Sequence, residues 1–304
     1  MFDVIILGSG PAGLTAAIYT GRAELHTLLI AGTTWGGQLM LTRDVENFPG
    51  FKEGILGPDL MDNMWKQAAR FGAQMIYDDV TKVDFSTSPL KVKAGKTEYQ
   101  AKSIVIATGS SPKWLGVTGE ERLRGRGVSV CAVCDAPFFK EKKVMVVGGG
   151  DSAMEEALAL SKFAREIVVV HRRDELRASK TLQQRVFKDP KIKFRWNSVI
   201  REIQGNDRVE GVILQRVDTD EKSKVMCDAV FVAIGHKPNT EIFKTQLDLD
   251  DQGYIIAQAG TKTKVQGVFV AGDVADRHYR QAITAAGAGC KAALDVERYL
   301  IASP

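Results

Sequence analysis

Cysteine and histidine are both scarce in this chain, four of each in 304 residues. Four cysteines are too few for the disulfide framework of a small secreted domain. Cys227 and Cys290 stand alone and the histidines do not cluster, so zinc, which needs a second cysteine pair or histidines nearby, is disfavoured and no metal is expected. Long apolar runs are also missing, and none approaches the roughly 20 residues that cross a bilayer. The start, Met1-Phe2-Asp3 running straight into a strand, lacks the basic region and cleavage site of a secretory leader. A cytoplasmic protein without membrane contact is expected. Strong charge of one sign is absent as well. The formal net charge of +4 is mild, basic residues are spread along the chain, and no aromatic-basic ladder is present, so nucleic acid is not an expected partner.

What remains is the composition of an ordinary globular protein, 44% hydrophobic and 26% charged, able to bury a substantial core. The length suits two domains of roughly 100–200 residues each. One close cysteine pair stands out, Cys131-Ala132-Val133-Cys134, followed by Asp135. In a reducing compartment such a pair is more often redox-active or metal-binding than structural. Cysteines at this spacing can close a small disulfide, which accepts two electrons.

Two strand-turn-helix units flank that pair. Asp3-Val4-Ile5-Ile6-Leu7 reads as a buried parallel strand, and it enters Gly8-Ser9-Gly10-Pro11-Ala12-Gly13 ahead of a helix. In this spacing Gly8 permits the tight turn, Gly10 lets a pyrophosphate approach the backbone, and Gly13 lets helix and strand pack closely. Helix N–H groups then face the phosphates. Lys143-Val144-Met145-Val146-Val147 repeats the pattern into Gly148-Gly149-Gly150-Asp151-Ser152-Ala153, with alanine as the third small residue.

The two units differ at the end of their second strand. Ile167–Val170 leads into His171-Arg172-Arg173, with Arg177 one turn on. Arginines there suit a 2′-phosphate, so this site should prefer NADPH to NADH. Thr27–Ile30 ends instead in Ala31-Gly32, with neither acid nor arginine, so something other than a nicotinamide cofactor is expected. The following Gly36-Gly37-Gln38 and Glu46-Asn47-Phe48-Pro49-Gly50 offer N–H groups and amides with little charge, which suits the edge of a flavin ring. Asp273 closes a third apolar strand, Gly267–Gly272, where it can take a hydroxyl of a cofactor's sugar chain or cap a helix. Turn-rich 109–112 and 235–238 suit hinges around an inserted domain.

In this order the segments GSGPAG (8–13), GGQL (36–39), ENFPG (46–50), ATG (107–109), GRGVSVCAVCD (125–135), GGGDSAMEEA (148–157), HRRDELRAS (171–179), AIGHKPN (233–239) and AGDVADRHYRQAITAAGAGCKAALD (271–295) closely resemble the low-molecular-weight thioredoxin reductases, essentially from Asp3 to Leu300. The resemblance implies an α/β fold of two Rossmann-like, three-layer nucleotide-binding domains. An FAD domain would span 1–112 and 240–304, with an NADPH domain carrying the cysteine pair inserted at 113–239. It also implies a homodimer and, as partner, thioredoxin or a thioredoxin-like dithiol protein. FAD contacts are implied for Ser9, Gly10, Pro11, Ala12, Gly37, Gln38, Asn47, Val80, Asp273, Arg280, Gln281 and Ala282. NADPH contacts are implied for Gly150, Asp151, Ser152, Arg172, Arg173 and Arg177.

The implied catalytic residues are Cys134 as the thiol nearer the flavin, Cys131 as the thiol that attacks thioredoxin, and Asp135 as the proton carrier. Domain rotation between half-reactions follows if disulfide and nicotinamide share one domain and take turns at one flavin. Two departures stand out. Asp151 replaces an uncharged polar residue of many relatives and is expected to weaken NADPH slightly, and Asp135-Ala136-Pro137 replaces Asp-Gly. Arg122, Arg124 and Arg126 before the cysteines and Phe138-Phe139 after them are candidate docking residues for an acidic partner. Cys290 is expected as a buried small residue of a C-terminal helix.

Overall fold

The computed structural model describes residues 1–42 and 44–302; Arg43 and the last two residues of the expected 240–304 segment lie outside the described residues. The chain divides into two compact units, Met1–Ser111 with Lys237–Pro304, and Pro112–His236. The second crossing falls ahead of Asn239 for a local reason. The Asn239 N–H donates to the Gly109 carbonyl at 3.0 Å, its side-chain amide donates to the Thr108 carbonyl at 2.8 Å, and the Thr108 hydroxyl donates back to the Asn239 carbonyl at 2.8 Å. Those bonds tie Asn239 into the first unit.

In the first unit a parallel sheet runs Gln74–Ile76, Thr27–Ile30, Phe2–Leu7, Thr97–Ile106 and Val268–Val270 in spatial order. The ten-residue strand Thr97–Ile106 serves two purposes. Its first half pairs antiparallel with Leu90–Ala94, itself paired with Val80–Asp84, while its second half carries Val268–Val270. Alternate residues of the apolar strands feed two cores. Val4, Ile6, Leu29 and Val105 face helices α1 (Pro11–Arg22) and α2 (Gly57–Arg70), whereas Ile5, Leu7, Leu28 and Ile104 face Val83, Leu90, Val92 and Phe243. Both faces are covered, so each fully buried isoleucine or leucine contributes about 1.5–3 kcal/mol.

The second unit repeats this plan. Its parallel sheet runs Val128–Ser129, Ala229–Val232, Lys143–Val147, Glu166–Val170, Ile192–Arg195. The short helix α3 (Ala132–Asp135) precedes this sheet's central strand, and helices α4 (Asp151–Leu160) and α5 (Lys180–Lys188) follow. Val144, Val146, Ile167 and Phe231 pack with residues of α3, α4 and α5; Met145, Val147, Val168 and Val230 pack instead on the antiparallel strands Ser198–Gln204 and Gly211–Arg216. The fold is therefore α/β with Rossmann-like sheets, and the third layer of each unit is antiparallel strand rather than helix.

Helix α6 (Ala282–Ala302) returns to the first unit and crosses α1 closely, because a Cβ on Gly289 would lie 2.0 Å from the Ala12 carbonyl oxygen. With 3.6 residues per turn, the next position turns off that contact. Cys290 is accordingly only half-buried, not buried as the sequence suggested; Cys227 is the buried free thiol, and burial pushes it up to about 12. Among the described residues no helix is long and apolar enough to cross a membrane, and no group of three or more metal-ligating side chains could hold an ion.

Candidate active site

The first turn is built by steric exclusion. Gly8 takes a φ of +107°, and a Cβ there would stand 2.4 Å from the Ala107 carbonyl oxygen, while one on Gly13 would stand 1.9 Å from the Gly8 carbonyl oxygen. Gly10 is the opposite case, with nothing within 4 Å of where its side chain would begin. It is the N-cap of α1, with Pro11 in the first turn where a missing N–H costs nothing. That open cradle at a helix N-terminus is what a phosphate requires.

Buried Ser9 fixes what lies behind the cradle, donating to the Ala31 carbonyl at 3.1 Å and accepting from the Gly36 N–H at 2.9 Å. Its bond to Gly36 brings in the 3-10 turn Gly37–Leu41, so Gly37 lies against Gly10, where a Cβ would be 3.4 Å from the Gly10 Cα. Gln38 is exposed on the same turn. The Asn47 amide donates to the Gln281 side chain at 3.2 Å. Arg280, at a φ of +47°, leads through Gln281 into Ala282, the first residue of α6.

Asp273 follows the strand Val268–Val270 as expected, and its Oδ1 is buried with no partner among the described residues. Burial, helped by Asp276 and opposed by Arg280, pushes its carboxyl up to about 6. An acceptor in that state is satisfied by a hydroxyl brought to it, so the residues present fit a flavin with a polyol chain. Val80 begins its strand half-buried beside Asp79. Asp79 was missed by the sequence reading. Its two carboxylate oxygens accept from the N–H and hydroxyl of Thr33, each at 2.9 Å, placing an acid just past the strand Thr27–Ile30 that lacks one of its own. The separation of 46 positions between Thr33 and Asp79 hides this pairing from local motif reading.

The second turn has the same backbone logic. A Cβ on Gly148 would stand 2.4 Å from the Ala233 carbonyl oxygen, and Gly150, the N-cap of α4, again has nothing within 4 Å of its Cβ position. Ser152 lies in the first turn of α4, half-buried. Its middle position differs: a Cβ on Gly149 would meet the His171 ring, at 2.2 Å from Cε1. His171 is buried with its Nε2 unpartnered among the described residues, and burial holds its pKa below the usual histidine range. Arg172, Arg173 and Arg177 are all exposed beyond it. An open cradle with three solvent-facing guanidinium groups fits a phosphorylated dinucleotide.

The sulfur pair stands at the start of α3. Cys131 and Cys134 form a disulfide with Cα atoms 5.4 Å apart, Cys131 as N-cap, and the Cys134 N–H points at the Cys131 Sγ at 3.2 Å. An N–H in that position stabilises a thiolate at Cys131 once the disulfide opens. Asp135 is half-buried, and burial raises its carboxyl above the usual range against a hydrogen bond from Ser129 that lowers it. The Asp135 side chain makes no capping bond to the following 3-10 turn Ala136–Phe139.

Two supporting residues escaped the sequence reading. The Ser129 hydroxyl accepts from the Cys131 N–H at 3.1 Å while also bonding Asp135, which links the carboxyl to the cysteine backbone. Glu156 on α4 accepts the Ala132 N–H, holding the start of α3. A serine two residues ahead of the pair was the available signal for the first; only folding brings the second there. Of the candidate docking residues, Arg122 donates to the Gly205 and Asn206 carbonyls at 2.7 and 2.6 Å, and Arg124 stacks on Trp114 at 3.9 Å. Phe139 packs edge-on against Phe231 at 5.5 Å. Arg126, Val133 and Phe138 stay exposed.

The family model of the pyridine nucleotide-disulphide oxidoreductases matches residues 2–289. A thioredoxin reductase of Streptomyces clavuligerus is 56% identical over 304 residues, covering 99% of this chain and 94% of the relative. One from Rickettsia felis is 55% identical over 302 residues, covering 98% and 97%. The crystal structure of thioredoxin reductase from Streptococcus pyogenes, 43% identical, superposes with a TM-score of 0.95 over 99% of this chain and 98% of its own. The chain belongs to the pyridine nucleotide-disulphide oxidoreductases and, within them, to the low-molecular-weight thioredoxin reductase family. Membership in that class implies a flavin and a pyridine nucleotide.

Proposed function

We propose that the enzyme reduces thioredoxin, or a similar dithiol protein, with electrons drawn from NADPH through FAD and the Cys131–Cys134 disulfide. FAD would lie at the first turn, held by Ser9, Gly10, Pro11, Ala12, Gly37, Gln38, Asn47, Val80, Asp273, Arg280, Gln281 and Ala282. NADPH would lie at the second, on the N–H groups of Gly150, Asp151 and Ser152 and the guanidinium groups of Arg172, Arg173 and Arg177. Held at these two turns, NADPH would supply the hydride and FAD the two-electron relay that the disulfide needs.

The chain's own part is thiol exchange. The Cys131 thiolate attacks the partner's disulfide, forming a mixed disulfide and releasing one partner thiol; Cys134 then displaces the second and closes the ring again. Each departing sulfur needs a proton and Cys134 must give one up, which Asp135 would handle from its place beside the Cys131 backbone. The observation that carries this reading is the disulfide with a half-buried carboxyl, raised by burial, bridged to it by Ser129. Arg126, Val133 and Phe138 would form the docking rim. Reversing the charge at Arg126 is then expected to raise KM for thioredoxin while sparing a small disulfide dye.

Rotation of the second unit about its two crossings, a homodimer and a cytoplasmic setting belong to the same reading. Rotation is supported by the division of the chain into two units with the disulfide and the arginine-edged turn together on one. A covalent tether between the units is expected to stop turnover, and full turnover with the tether in place argues against rotation. The overall reading is tested by following NADPH oxidation with oxidised thioredoxin as acceptor. Brisk oxidation that needs both cysteines supports it, and thioredoxin-independent oxidation alone overturns it.

A further inference from the structure

The arginine-bearing segment 171–179 is fastened to the second turn at both ends. At its start the His171 ring fills the space where a side chain on Gly149 would be. At its end the Arg177 and Ala178 N–H groups both donate to the Gly149 carbonyl, at 2.7 and 3.2 Å. The last stitch comes from a side chain: the Asp151 Oδ1 accepts the Ser179 N–H at 2.6 Å. Ser179 is the N-cap of α5, so this bond joins the first residue of α4 to the start of α5.

We infer that Asp151 is a specificity-determining positioning residue, a clamp that holds the loop of Arg172, Arg173 and Arg177 in register with the nucleotide turn. This rests on the reading of that turn as the NADPH site. A carboxylate at a helix start beside a pyrophosphate would by itself repel the ligand. Here the same oxygen is engaged on the Ser179 N–H, and an anion is a stronger acceptor for such a bond than a neutral group. The benefit falls on one part of the ligand. A pyrophosphate meets the turn itself, which Gly148 and Gly150 shape without the loop, whereas a 2′-phosphate meets the arginines. Paired guanidinium–phosphate bonds are sensitive to small displacements, so loosening the loop is felt mainly there.

The test uses the oxidised, FAD-loaded enzyme without turnover. Binding of 2′,5′-ADP and of ADP is measured by calorimetry for the wild type, Asp151→Ala and Asp151→Asn. Asp151→Ala is expected to weaken 2′,5′-ADP about tenfold and ADP by less than about twofold, the loss of one charge-assisted hydrogen bond. Asparagine keeps an acceptor oxygen, so Asp151→Asn is expected to retain the preference. Hydrogen exchange at the Ser179 amide should quicken in the alanine variant and not in the asparagine one. Equal losses for both ligands in Asp151→Ala, no loss at all, or an asparagine variant that matches alanine would overturn the clamp. A wild type that binds both ligands equally would overturn the NADPH reading and the clamp together; a wild type that discriminates, with an alanine variant that still does, would overturn the clamp alone.

Discussion

The two nucleotide turns solve one steric problem identically and then diverge behind it. Gly8 and Gly148 each face a carbonyl oxygen at 2.4 Å from a would-be Cβ, Ala107 in one unit and Ala233 in the other, and Gly10 and Gly150 are both open. Each turn also donates its first N–H to the end of the second strand, Gly8 to Ile30 at 2.9 Å and Gly148 to Val170 at 3.2 Å. The middle residue separates them. Ser9 reaches back to Ala31 and forward to Gly36, tying in a neutral loop. Gly149 leaves its place to His171, and with that ring comes an arginine-rich segment. A shared cradle thus suits a phosphate; on the proposed reading, the residue in its middle and the strand end behind it distinguish the ligand to which that phosphate belongs.

The sharpest asymmetry is that the second unit alone carries a sulfur pair. Cys131→Ser or Cys134→Ser is expected to lower thioredoxin reduction by more than about a thousandfold while NADPH still bleaches the flavin, read by stopped-flow absorbance. Bleaching lost together with thioredoxin reduction would place the cysteines in the wrong half of the circuit. Next in size is Asp135→Asn, expected to slow dithiol exchange about a hundredfold, the usual lower range for a positioned proton carrier, with flavin reduction unchanged. Unaltered exchange would leave its burial without a chemical use.

The comparison itself is sharpened by exchanging the middle residues. Gly149→Ser drives a side chain into the His171 ring and is expected to cost about 1–3 kcal/mol of nucleotide binding, measured with NADP⁺. Ser9→Gly removes two hydrogen bonds, about 1 kcal/mol each, and is expected to show instead as weaker flavin retention. If both variants lose the same ligand, the division of labour between the turns is wrong.

The last effect concerns pH and falls on stability rather than on turnover. The carboxyl of Asp273 is held at about 6 against an ordinary value of 3.8, so the folded flavin-free protein binds this proton more tightly than the unfolded chain does. Stability from this group is therefore fully present below about pH 4 and lost as pH rises through about 6, at most about 3 kcal/mol. Asp273→Asn is expected to flatten that part of the pH-stability curve of apoprotein, measured by denaturant midpoints. A curve as steep as that of the wild type would mean that another group sets it.

What could be read from the sequence was local. The strands, both glycine turns and the cysteine pair each lie within a few consecutive residues, and their chemistry follows from spacing. The residues that escaped are those brought in from a distance. Asp79 reaches Thr33 across the sheet edge, Glu156 reaches the Ala132 amide from another helix, and the antiparallel layers at 80–106 and 198–226 show only weak alternation. Arginine runs misled in part for the same reason: Arg122 and Arg124 resemble Arg126 in sequence, yet a carbonyl pair and Trp114 engage the first two. Asp151 looked like a liability beside a phosphate until its acceptor role toward Ser179 became visible.

The most direct measurement is a single turnover. Oxidised, FAD-loaded enzyme is mixed with stoichiometric NADPH in the absence of oxygen, and newly formed thiols are alkylated and located by mass spectrometry. The expected result is labelling of Cys131 and Cys134 together, discharged on adding oxidised thioredoxin. A bleached flavin with that disulfide intact, or labelled thiols that thioredoxin does not discharge, would contradict it.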